Sequence, residues 1–158
     1  YEKRGCRGMR AFKSIKRVFA AVSFSFFACS VLADSEQSFG KFVVFYNAFN
    51  STVLKQDVAK QYGIVRSGNR GVVTLSVHEK KSNELTVAIK ADVDGSVKNL
   101  SEQLKGLAFK EIVEGANVYY VASFRFTDVE HMMFDVDIKP EGSNTEHHLN
   151  FRKKFFPE

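Results

Sequence analysis

The sequence predicts an all-β fold, mostly strand with one short helix, built as an antiparallel two-sheet β-sandwich of immunoglobulin-like general shape. Three observations carry this expectation: about seven segments alternate or cluster apolar residues as strands do, turn signals separate them at regular intervals, and a single segment repeats apolar residues at helical spacing. The chain has 158 residues, 44% of them hydrophobic, with 16 Phe, 5 Tyr and no Trp, which is core material for one domain. Two Pro and ten Gly exclude a collagenous or low-complexity chain.

The first segment is not part of that domain. Arg10, Lys13, Lys16 and Arg17 precede an apolar run from Val18 to Ala33, which ends Val31-Leu32-Ala33 before Asp34. This is the three-part layout of a secretory signal peptide. The run lacks a polar face at helical spacing and is shorter than the about 20 residues that a spanning helix needs. Residues 1–33 therefore read as a cleaved leader and 34–158 as one periplasmic domain with no stable membrane span. A lipoprotein signal ending at Cys29 is the minor alternative, because Phe26 stands where such signals carry Leu. Residues 1–8 precede Met9 and read as an upstream extension. Both cysteines, Cys6 and Cys29, fall in the leader, so the mature domain should hold no disulfide, thiolate zinc site or thiol nucleophile.

Each later element has its own signal. Phe39 to Phe49 is rich in aromatic and β-branched residues and reads as a strand. Leu54, Val58 and Tyr62 recur at i, i+4, i+8, with Ser51 and Thr52 as caps and Gly63 as the stop, which predicts the helix. Val72 to His78 alternates, with Val73, Leu75 and Val77 on the core side, and Leu85 to Val93 alternates after the polar turn Lys80-Lys81-Ser82-Asn83. These two read as a hairpin that ends at Asp94-Gly95. Val97 to Leu107 is weakly patterned, an edge strand or a crossing loop. Ala108 to Val113 and Val118 to Phe126 flank the turn Glu114-Gly115-Ala116-Asn117, with Tyr120, Ala122, Phe124 and Phe126 on one face. In the last pair, Met132 to Lys139 and Glu146 to Phe155, burying the apolar set requires Val136 opposite Leu149 and Phe134 opposite Phe151. That register puts Asp137 opposite His148 and Asp135 opposite Asn150, with Arg152 diagonal to Asp135.

The formal charge of +5 does not mark a nucleic-acid surface. Residues 1–33 hold seven basic groups and one acidic, and the remaining 16 basic and 17 acidic groups leave the domain at −1. The stretch Tyr62-Gly63-Ile64-Val65-Arg66-Ser67-Gly68-Asn69-Arg70-Gly71 places two guanidinium groups four residues apart in a loop able to grip a carboxylate or phosphate. The competing and favoured reading is that both tie the loop to the protein's own acceptors. His131, Met132, Met133, His147 and His148 are ligand types for copper, but the proposed register disperses them over opposite faces, so no metal or cofactor is expected. No Ser sits in a Gly-x-Ser-x-Gly elbow, and no carboxylate pair has a spacing that argues acid–base work, so an enzyme is unsupported. Tyr46, Phe49, Tyr119, Val121, Phe155 and Phe156 are a surplus of large apolar residues, belonging either to a partner surface or to a Phe-rich core.

Four groups of stretches stand out together: Tyr46-Asn47-Ala48-Phe49 with Ser51-Thr52, Tyr62-Gly63-Ile64 with Arg66-Ser67 and Asn69-Arg70-Gly71, Leu107 to Glu111 with Glu114-Gly115, and Tyr119 to Ala122 with Phe124-Arg125-Phe126. In these the chain resembles a bacterial family of exported proteins of unknown function, DUF4426. The resemblance implies a small exported β protein of Gram-negative type bacteria with no activity to transfer. It directs attention to Tyr62, Arg66, Asn69, Arg70, Glu111 and Arg125 as motif positions. The expected function is non-catalytic binding of an envelope protein, a peptide or a small anionic ligand; the alternative is a hydrolase or metal-dependent protein using the C-terminal His and Asp residues.

Overall fold

In a computed structural model, residues 35–82 and 85–158 are described; the expected leader, with Cys6 and Cys29, lies outside the described residues. The strands are β1 (Ser35–Phe39), β2 (Phe42–Asn50), β3 (Arg70–Lys80), β4 (Thr86–Ala88), β5 (Ala91–Lys98), β6 (Leu104–Gly106), β7 (Lys110–Glu114), β8 (Asn117–Arg125), β9 (Glu130–Pro140) and β10 (His147–Phe155). A 3-10 turn (Ser51–Val53) and a helix α1 (Gln56–Gln61) join β2 to β3. One sheet runs β1-β2-β3-β8-β7, with β4 also on β3, and the other runs β10-β9-β5-β6. All pairings are antiparallel, and the fold is a two-sheet β-sandwich.

The β9–β10 register matches the sequence reading pair for pair: Val136 with Leu149, Phe134 with Phe151, Asp137 with His148 and Asp135 with Asn150. Apolar side chains opposite one another left one arrangement that buries both. Tyr120, Ala122, Phe124 and Phe126 are all buried, as their shared face required.

Four boundaries differ from expectation. The run from Phe39 is not one strand: Gly40, at φ 60°, turns the chain within two residues, so Phe39 of β1 faces Phe42 of β2. Aromatic residues on both sides of the turn hid it. Leu85 to Val93 is likewise split, with β4 on one sheet and β5 on the other; Ala91 N–H donates to the Tyr120 hydroxyl at 2.7 Å where the chain changes sheet. The two halves differ in burial as well: Leu85 and Val87 are exposed, whereas Ile89, Ala91 and Val93 pack against the core. Asp94-Gly95 does not end β5. A Cβ on Gly95 would stand 2.7 Å from the Asp135 carbonyl, so glycine there permits close approach to β9. The helix spans Gln56–Gln61 rather than Leu54 to Tyr62, and Lys55 occupies its N-cap without a side-chain cap, because Ser51 is buried in the 3-10 turn.

The core lies between the sheets in two adjoining clusters. In one, Ala48, Val73, Ala122 and Phe124 meet Val97, Met132, Phe134 and Phe155; in the other, Val44, Leu75, Val77 and Tyr120 meet Val136, Ile138 and Leu149. Phe134 stacks on Phe151 at 4.5 Å between centroids and takes Phe124 edge-on at 5.3 Å. Tyr46 closes on Phe151 at 4.6 Å, so Tyr46 and Phe155 belong to the core and not to a partner surface. Among the described residues no helix is long and apolar enough to cross a membrane.

Candidate functional site

The Arg66 to Arg70 loop is tied to the protein itself. Arg66 Nη2 donates to the Thr52 carbonyl at 2.8 Å, and Arg70 Nη1 donates to Ser123 Oγ at 3.1 Å. Asn69 Oδ1 accepts from Ser67 Oγ at 2.7 Å, and its carbonyl accepts from Phe126 N–H at 3.1 Å. Ser51, fully buried, donates through Oγ to the Ser67 carbonyl at 3.1 Å and accepts from Ser67 N–H at 2.9 Å. The last residues of the chain cross the same loop. Glu158 N–H donates to the Gly68 carbonyl at 3.1 Å, Thr52 Oγ1 donates to the Glu158 carboxylate, and Asn50 Nδ2 donates to the Phe156 carbonyl at 2.8 Å. A Cβ on Gly68 would come within 1.9 Å of the Glu158 carbonyl, so only glycine admits this crossing. Internal ties account for the Gly and Asn content of the loop.

The six expected site residues do not form one cluster. Arg125 pairs with Arg70 across β8 and β3, the row next to Val72 and Ser123 on the outer face of the six-stranded sheet. Tyr62 closes α1 over that same face, and its hydroxyl donates to Glu114. Glu111 points to the other side: it pairs with Tyr120, accepts the Tyr120 hydroxyl at 3.3 Å and holds Lys90 at 2.7 Å. The Lys90 hydrogen bond lowers the Glu111 pKa, and burial raises that of Tyr120. Glu111 thus secures the point where the chain passes from β4 to β5.

Near Tyr62 and the loop, the outer face of the six-stranded sheet carries an apolar groove. Between α1 and the outer face lies a hollow of about 220 Å³, lined by Phe49, Leu54, Val58, Tyr62, Tyr119 and Val121 among others. Leu54 from the end of the 3-10 turn, Val58 from α1 and Tyr62 from its C-cap all reach this lining. A smaller hollow of about 70 Å³, walled by Phe45 and Tyr119, continues it along the sheet, with Thr74 and Tyr119 common to both. The surplus aromatics Phe49 and Tyr119 are placed here; nothing in the sequence order of β2, β3 and β8 shows that they meet.

The C-terminal histidines are dispersed. His131 faces Lys154 across the ladder, His148 Nδ1 bonds Asp137, and the His147 ring stacks on Phe39 at 4.9 Å. Met132 is buried. Among the described residues no three His, Cys, Asp or Glu side chains are grouped so as to hold a metal ion.

Comparison with known proteins places this architecture. The family model of DUF4426, a domain of unknown function, matches residues 36–158. The crystal structure of a DUF4426 family protein from Pseudomonas aeruginosa PAO1 is similar, with 31% identity and a TM-score of 0.69 over 79% of this chain and 96% of that one. FetP of uropathogenic Escherichia coli strain F11, recombinantly expressed in the periplasm of E. coli, is similar in fold at 9% identity and a TM-score of 0.57, over 80% of this chain and 95% of that one. A copper-bound variant of FetP gives 8% identity and a TM-score of 0.56, over 80% and 97%. No curated protein matches the chain. At such identities the FetP likeness is one of fold, and the copper is a property of FetP.

Proposed function

Because this chain belongs to the DUF4426 family, we propose that it is a non-catalytic binding module of the bacterial envelope, exported to the periplasm behind the leader at residues 1–33. Its ligand is an apolar segment of an envelope protein or peptide, laid along the outer face of the six-stranded sheet. The carrying observation is the line of two hollows sharing Thr74 and Tyr119, of which the larger is lined by no residue of the two core clusters. Arg125, in the row beyond Val72 and Ser123, puts positive charge at one end, where an acidic group of the ligand would sit, while Arg70 beside it is held by Ser123 Oγ. In this reading Arg66 and Asn69 hold the loop that shapes that end, Tyr62 forms the wall, and Glu111 acts from the opposite face by fixing β7. The domain's charge of −1 is consistent with a protein ligand and not with nucleic acid.

Peptides selected from a random display library on the wild-type protein should carry two apolar anchors. Tyr119→Ala should retain them roughly 30-fold less well, the loss expected for a central aromatic contact. Equal retention by both proteins, or no enrichment at all, would reject the groove.

A further inference from the structure

The outer face of the other sheet carries a hollow of different chemistry. Pairing of β5, β9 and β10 aligns Lys98, Met133 and Arg152 in one row and Ser96, Asp135 and Asn150 in the next. Leu104 of β6 sits opposite Lys98 and walls one side. The result is an open trough of about 620 Å³, within the size range of small-ligand sites.

Its polar groups are unspent. Among the described residues, Arg152, Asp135 and Asn150 have no side-chain partner. Lys98 holds Glu102 at 2.9 Å, but that pair is exposed, and such pairs bind each other weakly. The contrast with Arg66 and Arg70 is direct, since both of those guanidinium groups already have acceptors in the protein. The trough thus offers two cations in one row and a carboxylate in the next. Same-face rows of a strand lie two residues apart, about 6.7 Å.

We propose that this trough binds a short zwitterionic peptide, a dipeptide in the simplest case. An extended two-residue unit spans about 7 Å, comparable with the backbone spacing of the rows, and the long Arg152 side chain takes up the rest of the diagonal to Asp135. Its carboxylate meets the guanidinium of Arg152, where a bidentate contact is available, with the Lys98 ammonium on the far side of Met133. Its ammonium meets Asp135. Asn150 donates to the peptide carbonyl, and the ligand's side chains rest on Met133 and Leu104, Met being able to adapt to varied shapes. Charge selects this class over simpler ions: Asp135 repels a plain anion, and Arg152 with Lys98 repels a plain cation. This site is independent of the groove on the six-stranded sheet.

The test is an NMR titration of the protein with alanyl-leucine, its N-acetylated form and its C-terminal amide. Saturable shifts are expected at the amides of residues 133–135 and 150–152, with each blocked form weaker by about 10-fold or more, the loss of one charged hydrogen bond. Arg152→Gln should remove the preference for the free carboxylate alone, and Asp135→Asn that for the free ammonium alone. Both positions are exposed, and an unchanged spectrum of core residues verifies folding of each variant. The absence of saturable shifts at millimolar dipeptide would overturn the proposal, as would equal binding of the blocked forms. Shifts confined to the surroundings of Tyr119 would also overturn it and would support the groove instead.

Discussion

Ser76 and His78 show how a single hydrogen fixes a charge state. Ser76 Oγ donates to the Val118 carbonyl at 2.9 Å, so in its 2.9 Å contact with His78 Nε2 it must accept. The other ring nitrogen, Nδ1, is then an acceptor, and it is buried without a partner. Protonating it would add an N–H with nothing to receive it, and burial accordingly lowers the His78 pKa below 6.5. The sign follows from proton counting. Between the folded and unfolded pKa values the unfolded chain binds more protons, so stability is full above about 6.5 and falls as pH drops below it. Urea midpoints measured from pH 7.5 to 5 should fall with acidification, and His78→Gln should flatten that part of the curve. A wild-type midpoint independent of pH over this range would contradict the assignment.

Where two strands come unusually close, a glycine sets the element's course. β5 continues through Gly95, where a Cβ would stand 2.7 Å from the Asp135 carbonyl and 3.1 Å from Val136 Cα, both backbone atoms that cannot swing aside. Gly95→Ala should therefore destabilise the fold by about 1–3 kcal/mol through overpacking. Gly106→Ala on the edge strand β6 has nothing within 4 Å and should stay within about 0.5 kcal/mol of wild type. Chemical denaturation of the two variants makes the comparison, and equal stabilities would refute the close-approach argument. The sequence pattern could not show this: Asp-Gly after an alternating run is an ordinary turn signal, and only the neighbouring strand distinguishes a strand glycine from a turn glycine.

Across the whole molecule, stability rests on aromatic contacts between and within the two sheets. Phe134 is 1% exposed and touches Phe151, Phe124 and Phe155, joining β9 to β10 and to β8 of the opposite sheet. Phe134→Ala should cost about 3–5 kcal/mol in calorimetry or denaturant unfolding. A loss below about 1 kcal/mol, closer to that of a surface substitution, would mean that the sheets are not held through this ring.

The linear chain was sufficient for properties that depend on local period: the all-β class, the β9–β10 register, and the buried face of Tyr120, Ala122, Phe124 and Phe126. A strand repeats every two residues, so burying one apolar set leaves little choice of pairing. Periodicity is blind to which sheet a segment joins, which is why Leu85 to Val93 read as one strand although β4 and β5 lie in different sheets. It is equally blind to what a polar side chain reaches. Arg66 and Arg70 stood out because guanidinium groups lay close in sequence, yet the fold commits both to acceptors from the 3-10 turn and β8. Arg152 and Asp135 were visible as diagonal neighbours on a solvent face. Only the assembled sheet, by setting Lys98 and Leu104 beside them, made that face a concave site, because concavity is a relation among strands and no single strand carries it.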